Sequence, residues 1–147
     1  MIRDYQSADF NQLISAWLAA SKLAHPFLTE EFLRKEIANI RDIYIPNTET
    51  AVYQHGDTVI GFISLMGDEV GAIFLDPKYH GQKIGKALMD HAADQRNRLE
   101  LDVFKANHIG QQFYFRYGFQ KLYEHMHEET GNMLLRLAYT PPKSNYI

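Results

Sequence analysis

Residues 76–89, DPKYHGQKIGKALM, join a strand stop, glycines at 81 and 85, and lysines at 78, 83 and 86 to the start of a helix with apolar spacing. A loop of this kind turns several backbone N–H groups towards one point. The helix that follows adds positive potential there, and Lys78, Lys83 and Lys86 add formal charge. The guest it suits is a pyrophosphate. The same residues also suit a plain strand-to-helix turn that needs glycine only for its geometry. A second run, residues 107–119, NHIGQQFYFRYGF, puts Asn107 at a helix start and Gly118 at its end. It carries Tyr114, whose hydroxyl donates a hydrogen bond at neutral pH. A capped amphipathic helix burying Ile109, Phe113 and Tyr117 accounts for that run equally well.

The elements that must hold these runs follow from periodicity. Residues 1–4 read as a short strand. Leu13, Ile14, Trp17 and Leu18 have helical spacing, with Ser7 as N-cap and Asp9 in the first turn. A break at Ala24-His25-Pro26 precedes a second helix from Thr29-Glu30-Glu31, closed by Pro46-Asn47. Strands at 50–54 and 58–66 flank Gly56-Asp57, and a third at 69–75 stops at Asp76-Pro77. A helix is expected over 84–97, with His91 on its inner face, then an alternating strand at 99–104, the helix at 107–117, and a hairpin of strands 119–127 and 132–139. The order β-α-α-β-β-β-α-β-α-β-β implies a mixed α/β fold with a largely antiparallel sheet flanked by helices. It reads as one domain, 1–139, with a tail at 140–147 after the paired prolines.

With both runs in this order, the chain resembles the GNAT N-acetyltransferases. Residues 76–88 are similar to the family's motif A, whose usual form is Asp-Pro-x-Tyr-Arg-Gly-x-Gly-Ile-Gly-x-x-Leu. They match it at Asp76, Pro77, Tyr79, Gly81, Ile84, Gly85 and Leu88. His80 stands where Arg or Gln is usual, and Lys83 where a glycine is usual. Losing that glycine restricts φ and crowds the loop; a Lys83 turned outward could pair with a phosphate. Residues 107–119 resemble motif B, with Gly110 in place of the usual alanine. The resemblance is strong from Ile73 to Phe119 and weak before it.

The resemblance implies the GNAT fold and transfer of acetyl from acetyl-CoA to a primary amine by direct attack. The amine belongs to a protein lysine, a protein N-terminus or a small molecule. The amine must lose a proton, the oxyanion needs donors, and the leaving thiolate needs a proton or hydrogen bond. By this resemblance the cofactor lies against Phe74, Leu75, His80, Gly81, Gln82, Lys83, Ile84, Gly85, Lys86, Asn107 and Tyr114. The N–H groups of Phe74 and Leu75 are candidates beside the acetyl carbonyl, and Tyr114 is the candidate acid. Glu69 is similar to the strand glutamate that serves as base in histone-type members, and equally reads as a solvated strand-start residue. His25, in the break where the family places its acceptor wall, is a candidate for acceptor binding or proton transfer, or only part of a rigid His-Pro-Phe turn. A non-catalytic acyl-CoA-binding or sensing module is the alternative. Lys83 motivates it; Asn107 and Tyr114 argue against it.

Composition narrows the classes. The chain has 147 residues, 46% apolar and 22% charged, with formal net charge −3 and no cysteine. Disulfides, cysteine–zinc sites and a thiol nucleophile are excluded. The charge disfavours nucleic acid, including an aminoacyl-tRNA acceptor, and anionic membrane. No apolar run approaches the ~18 residues of a membrane span, so a cytoplasmic monomer or homodimer is expected. His125, His127 and Glu129 lack ligand-grade spacing, and no metal is expected.

Overall fold

The computed structural model describes residues 1–142. Seven strands are present: β1 (Ile2–Asp4), β2 (Glu49–His55), β3 (Thr58–Met66), β4 (Glu69–Leu75), β5 (Leu99–Phe104), β6 (Gln120–His127) and β7 (Asn132–Tyr139). Four α-helices accompany them: α1 (Phe10–Ala24), α2 (Glu30–Asn39), α3 (Ile84–Ala93) and α4 (His108–Tyr117). The strands form one sheet in the order β1-β2-β3-β4-β5-β7-β6. Every neighbouring pair is antiparallel except β4 with β5. Residues 140–142 have no regular structure, and 143–147, the rest of the expected tail, lie outside the described residues.

The sheet separates two cores. On one face Val52, Val59 and Phe62 pack with Leu13 and Trp17 of α1 and Leu33 of α2. On the other, Ile63, Leu65, Leu101, Val103 and Leu137 pack with Leu88 and Met89 of α3, while Phe113, Tyr114 and Tyr117 of α4 lean on them. β3 is buried from Val59 to Leu65 because both faces are covered, so it reads as a continuous apolar run. β5 alternates instead: Leu99, Leu101 and Val103 are buried, and Asp102 is exposed. Each fully buried leucine contributes ~1.5–3 kcal/mol. The second core therefore fixes where α3 and α4 begin.

Several local expectations are corrected. Ser7 does not cap α1. Residues Ser7–Asp9 form a 3-10 turn, and Asp9 accepts from the Gln6 N–H at 2.8 Å and from both terminal nitrogens of Arg3. Thr29 does cap α2, its hydroxyl accepting from Phe32 N–H at 3.1 Å. α2 gives way at Ile40–Tyr44 to a π-helical turn and then a 3-10 turn at Ile45–Asn47. α3 ends at Ala93, short of residue 97. Just beyond it, Arg96 is drawn to the Gly67 carbonyl at 2.8 Å and to Glu49. Ile109 is 44% exposed, because α4 turns Phe113, Tyr114 and Tyr117 to the core instead. His91 is half-buried beside a small polar pocket with Asp4, Glu49 and Gln95 rather than in the core.

Candidate functional site

A groove of about 1480 Å³ crosses the sheet where β4 and β5 part. These strands pair in register only at Glu69 with Glu100 and diverge beyond it. The antiparallel register of β3 with β4, with Asp76 N–H on Ile60 O at 2.8 Å, directs the Phe74 N–H to Phe62 in β3. The N–H groups of Ile73 and Leu75 point the other way, into the opening. This corrects the expectation for Phe74: its ring lines the groove, but its N–H faces β3. Leu75 keeps the assigned orientation.

The loop before α3 has an anion-binding shape. Asp76 Oδ1 accepts from Lys78 N–H, and Tyr79 and His80 donate to Asp76 O and Pro77 O, closing a 3-10 turn at Pro77–Tyr79. After it, Gly81 has φ +81° and Lys83, at the N-cap of α3, has φ +64°. The backbone N–H groups from Gly81 through Lys86 have no partner among the described residues. Lys83 thus takes the left-handed conformation that the glycine usual at this position would adopt at lower cost. At Gly85 a Cβ would lie 3.2 Å from the Phe113 ring, which would have to give by a few tenths of an ångström, so α3 and α4 meet closely at this residue. The Lys86 ammonium is held by Asp90 at 2.8 Å, whereas Lys83 and Lys78 have no ion-pair partner among the described residues. His80, Gly81, Lys83, Ile84, Gly85 and Lys86 line the groove; Gln82 does not.

At the start of α4, Asn107 is buried, and its Oδ1 accepts from Gly110 N–H at 2.8 Å. Two turns later the Tyr114 ring packs edge-on between Phe113 and Phe119. Tyr114 lines the groove, and its hydroxyl has no hydrogen-bond partner among the described residues. Burial pushes this phenol well above its usual range, so it stays a donor at neutral pH.

The other end of the groove is acidic and aromatic. Glu69 lines it, but the guanidinium of Arg136 holds both its oxygens; the Nη1 contact is 2.8 Å. Arg136 also donates to Glu100 at 3.2 Å and approaches Asp102 Oδ2 at 3.5 Å. A carboxylate clamped at both oxygens is a poor direct base. Asp102 is freer: His125 Nε2 lies 2.8 Å from its Oδ1, and Arg136 only grazes its Oδ2. Asp102 also lines the groove. The sequence reading passed over it, although the alternation of residues 99–104 places it opposite the buried Leu101. His127 pairs with Thr130 and Glu129 with Lys35, so the three residues weighed as a metal set go to different partners.

His25 is half-buried at the head of the groove. Burial pushes it down to about 4, so it is neutral at physiological pH. Its Nε2 lies 3.2 Å from Asn107 Nδ2. The fold thus brings His25 and Asn107 together, while Glu69 belongs to the Arg136 cluster.

Comparison with known proteins agrees with this architecture. A family model described as an acetyltransferase (GNAT) domain matches residues 46–121. Peptidyl-lysine N-acetyltransferase YiaC of Escherichia coli (strain K12) is 32% identical over 120 residues, covering 81% of this chain and 82% of that protein. The solution structure of apo-form YjaB from Escherichia coli superposes with a TM-score of 0.84 at 26% identity, over 95% of this chain and 96% of that one. PaiA N-acetyltransferase from Thermoplasma acidophilum, solved in complex with coenzyme A, shares the fold at TM-score 0.73 and 21% identity, over 92% and 96% of the two chains.

Proposed function

This chain belongs to the GNAT acetyltransferase family, and from that premise we propose that it transfers acetyl from acetyl-CoA to the side-chain amine of a peptidyl lysine. The observation that carries this reading is the unpartnered run of N–H groups from Gly81 to Lys86, opening on the same groove as the free Tyr114 hydroxyl. Those N–H groups would hold the pyrophosphate of the co-substrate, with Lys83 adding charge. Bound acetyl-CoA supplies the activated acetyl thioester. The parted edge of β4 offers the Ile73 and Leu75 N–H groups to an acyl oxygen. Tyr114 Oη donates to the leaving sulfur.

The acceptor arrives as an ammonium. Glu36, Glu69 and Asp102 line the groove and favour a cation. We assign removal of its proton to Asp102, with His125 behind it as the route to solvent, and give Glu69 the task of holding Arg136. Residues 1–139 act as one domain in this reading. The 32% identity to a peptidyl-lysine N-acetyltransferase supports the acceptor class.

The test is calorimetric titration with acetyl-CoA, coupled to thiol release over a panel of lysine peptides, N-terminal peptides and small amines. Tight binding with release only in the presence of lysine peptides is expected. Binding without release for any amine would leave an acyl-CoA-binding module. Release confined to small amines would move the acceptor class.

A further inference from the structure

His25 stands where four segments of the groove wall meet. Its ring makes edge contacts with Phe27 at 5.7 Å, with Phe74 of β4 at 6.4 Å and with Phe104 of β5 at 5.1 Å. Its fourth neighbour is Asn107, at the head of α4, and chemistry on the far side of Asn107 fixes which atom His25 meets. Gly110 N–H needs an acceptor, so Oδ1 occupies that side, and the amide nitrogen faces His25 Nε2. An amide NH₂ donates and does not accept. His25 Nε2 must therefore supply its lone pair, and the ring proton sits on Nδ1.

Gly110 belongs to the same arrangement. A Cβ at this position would lie 2.5 Å from Asn107 Nδ2 and 3.0 Å from its Cγ. The alanine usual there would push the amide away from His25. Among the described residues Nδ1 has no partner, and among those same residues the one buried side-chain nitrogen or oxygen without a partner is Ser21 Oγ. His25 Nδ1 is therefore not sealed off, and the residue lines the groove.

We propose that His25 is a fixed hydrogen-bond donor, presenting Nδ1–H to a carbonyl oxygen of a ligand in the groove, and that it does not act as a base. A base needs a lone pair facing the substrate, and the ring's lone pair is turned to Asn107. Burial agrees, since it keeps the imidazole neutral. The carbonyl belongs either to the peptide carrying the target lysine or to an amide of the acetyl-CoA arm. The donor role rests on the acetyl-transfer reading; the tautomer does not.

Two measurements on the full chain test it. The first is ¹⁵N NMR of the imidazoles, with His25→Asn as the assignment control. The proton is expected on Nδ1, and Gly110→Ala should shift it towards Nε2. A wild-type proton on Nε2 overturns the proposal whether or not the protein transfers acetyl. The second compares His25→Phe and His25→Asn with a lysine peptide and with n-butylamine, by kinetics or, without turnover, by calorimetry. The Phe variant should weaken one ligand about tenfold, the worth of one hydrogen bond, with kcat and the pH profile kept. Asn, which keeps an amide donor near Nδ1, should recover much of the loss. A loss confined to the peptide assigns the carbonyl to the acceptor; a raised KM for acetyl-CoA assigns it to the co-substrate. A fall in kcat for both amines with an altered pH profile restores His25 as a base and overturns the proposal. So does a folded Phe variant with every affinity unchanged.

Discussion

Replacing Lys83 separates backbone strain from charge in the phosphate loop. Lys83 is the one non-glycine residue with positive φ among the described residues, at φ +64° and ψ +17°. The left-handed conformation costs an ordinary L-residue ~1–2 kcal/mol. Glycine removes that cost but loosens the unfolded chain by ~0.4–1 kcal/mol. Lys83→Gly should therefore gain ~0.5–1 kcal/mol, raising Tm by ~1–4 °C for a chain of this size. Lys83→Ala keeps its Cβ, hence the strain, and should melt within ~0.5 kcal/mol of wild type. Affinity should follow the charge. An exposed ammonium near phosphate is worth ~0.2–1 kcal/mol, so both variants should bind acetyl-CoA roughly 1.5–5-fold more weakly at low salt. The gap should close near ~1 M salt, where screening acts over ~3 Å. Differential scanning calorimetry and titration calorimetry read the two effects separately. A Lys83→Gly protein melting no higher than Lys83→Ala refutes the strain argument. One that binds better than wild type shows Lys83 to be an intruder in the loop.

Tyr114→Phe keeps the ring between Phe113 and Phe119 and deletes only the donor, so kcat and kcat/KM should fall together by ~10–100-fold with KM for acetyl-CoA unchanged; a raised KM alone would make Tyr114 a cofactor wall. Asp102→Asn should lower turnover about 100-fold at neutral pH, with the defect shrinking as alkaline pH deprotonates the amine, while Glu69→Gln loses much less; the reverse ranking in pH–rate curves returns the base role to Glu69. His25 adds a pH dependence to stability. Its folded value of about 4 lies below the ordinary 6.5, so the unfolded chain binds the extra proton first. Stability should fall as pH drops from 6.5 to 4, by roughly 2–3 kcal/mol from this group, and urea unfolding of His25→Asn should lack that part of the slope. Asp9 has the same sign, at lower pH. Its hydrogen bond with Arg3 holds its carboxyl below the ordinary value, so its contribution is full at neutral pH and is lost as pH falls through the depressed value. Asp9→Asn should cost ~2 kcal/mol at pH 7, and its Tm should converge on wild type in strong acid.

The strands at 58–66, 69–75, 99–104 and 132–139 were legible to the residue, because alternation and turn residues are local properties. The two runs that build the cofactor side were legible for the same reason: a loop at a helix start displays its N–H groups whatever surrounds it. The direction of the Phe74 N–H was not, since it depends on which residue of β3 stands opposite. Nor was the division of the carboxylates. Glu69 meets Arg136 across 67 residues and Asp102 meets His125 across 23, pairings set by the docking of β7 and β6 beside β5. His25 and Asn107, 82 residues apart, were each singled out by their types and spacing. Only tertiary packing joined them, and with that contact it decided which imidazole nitrogen carries the proton.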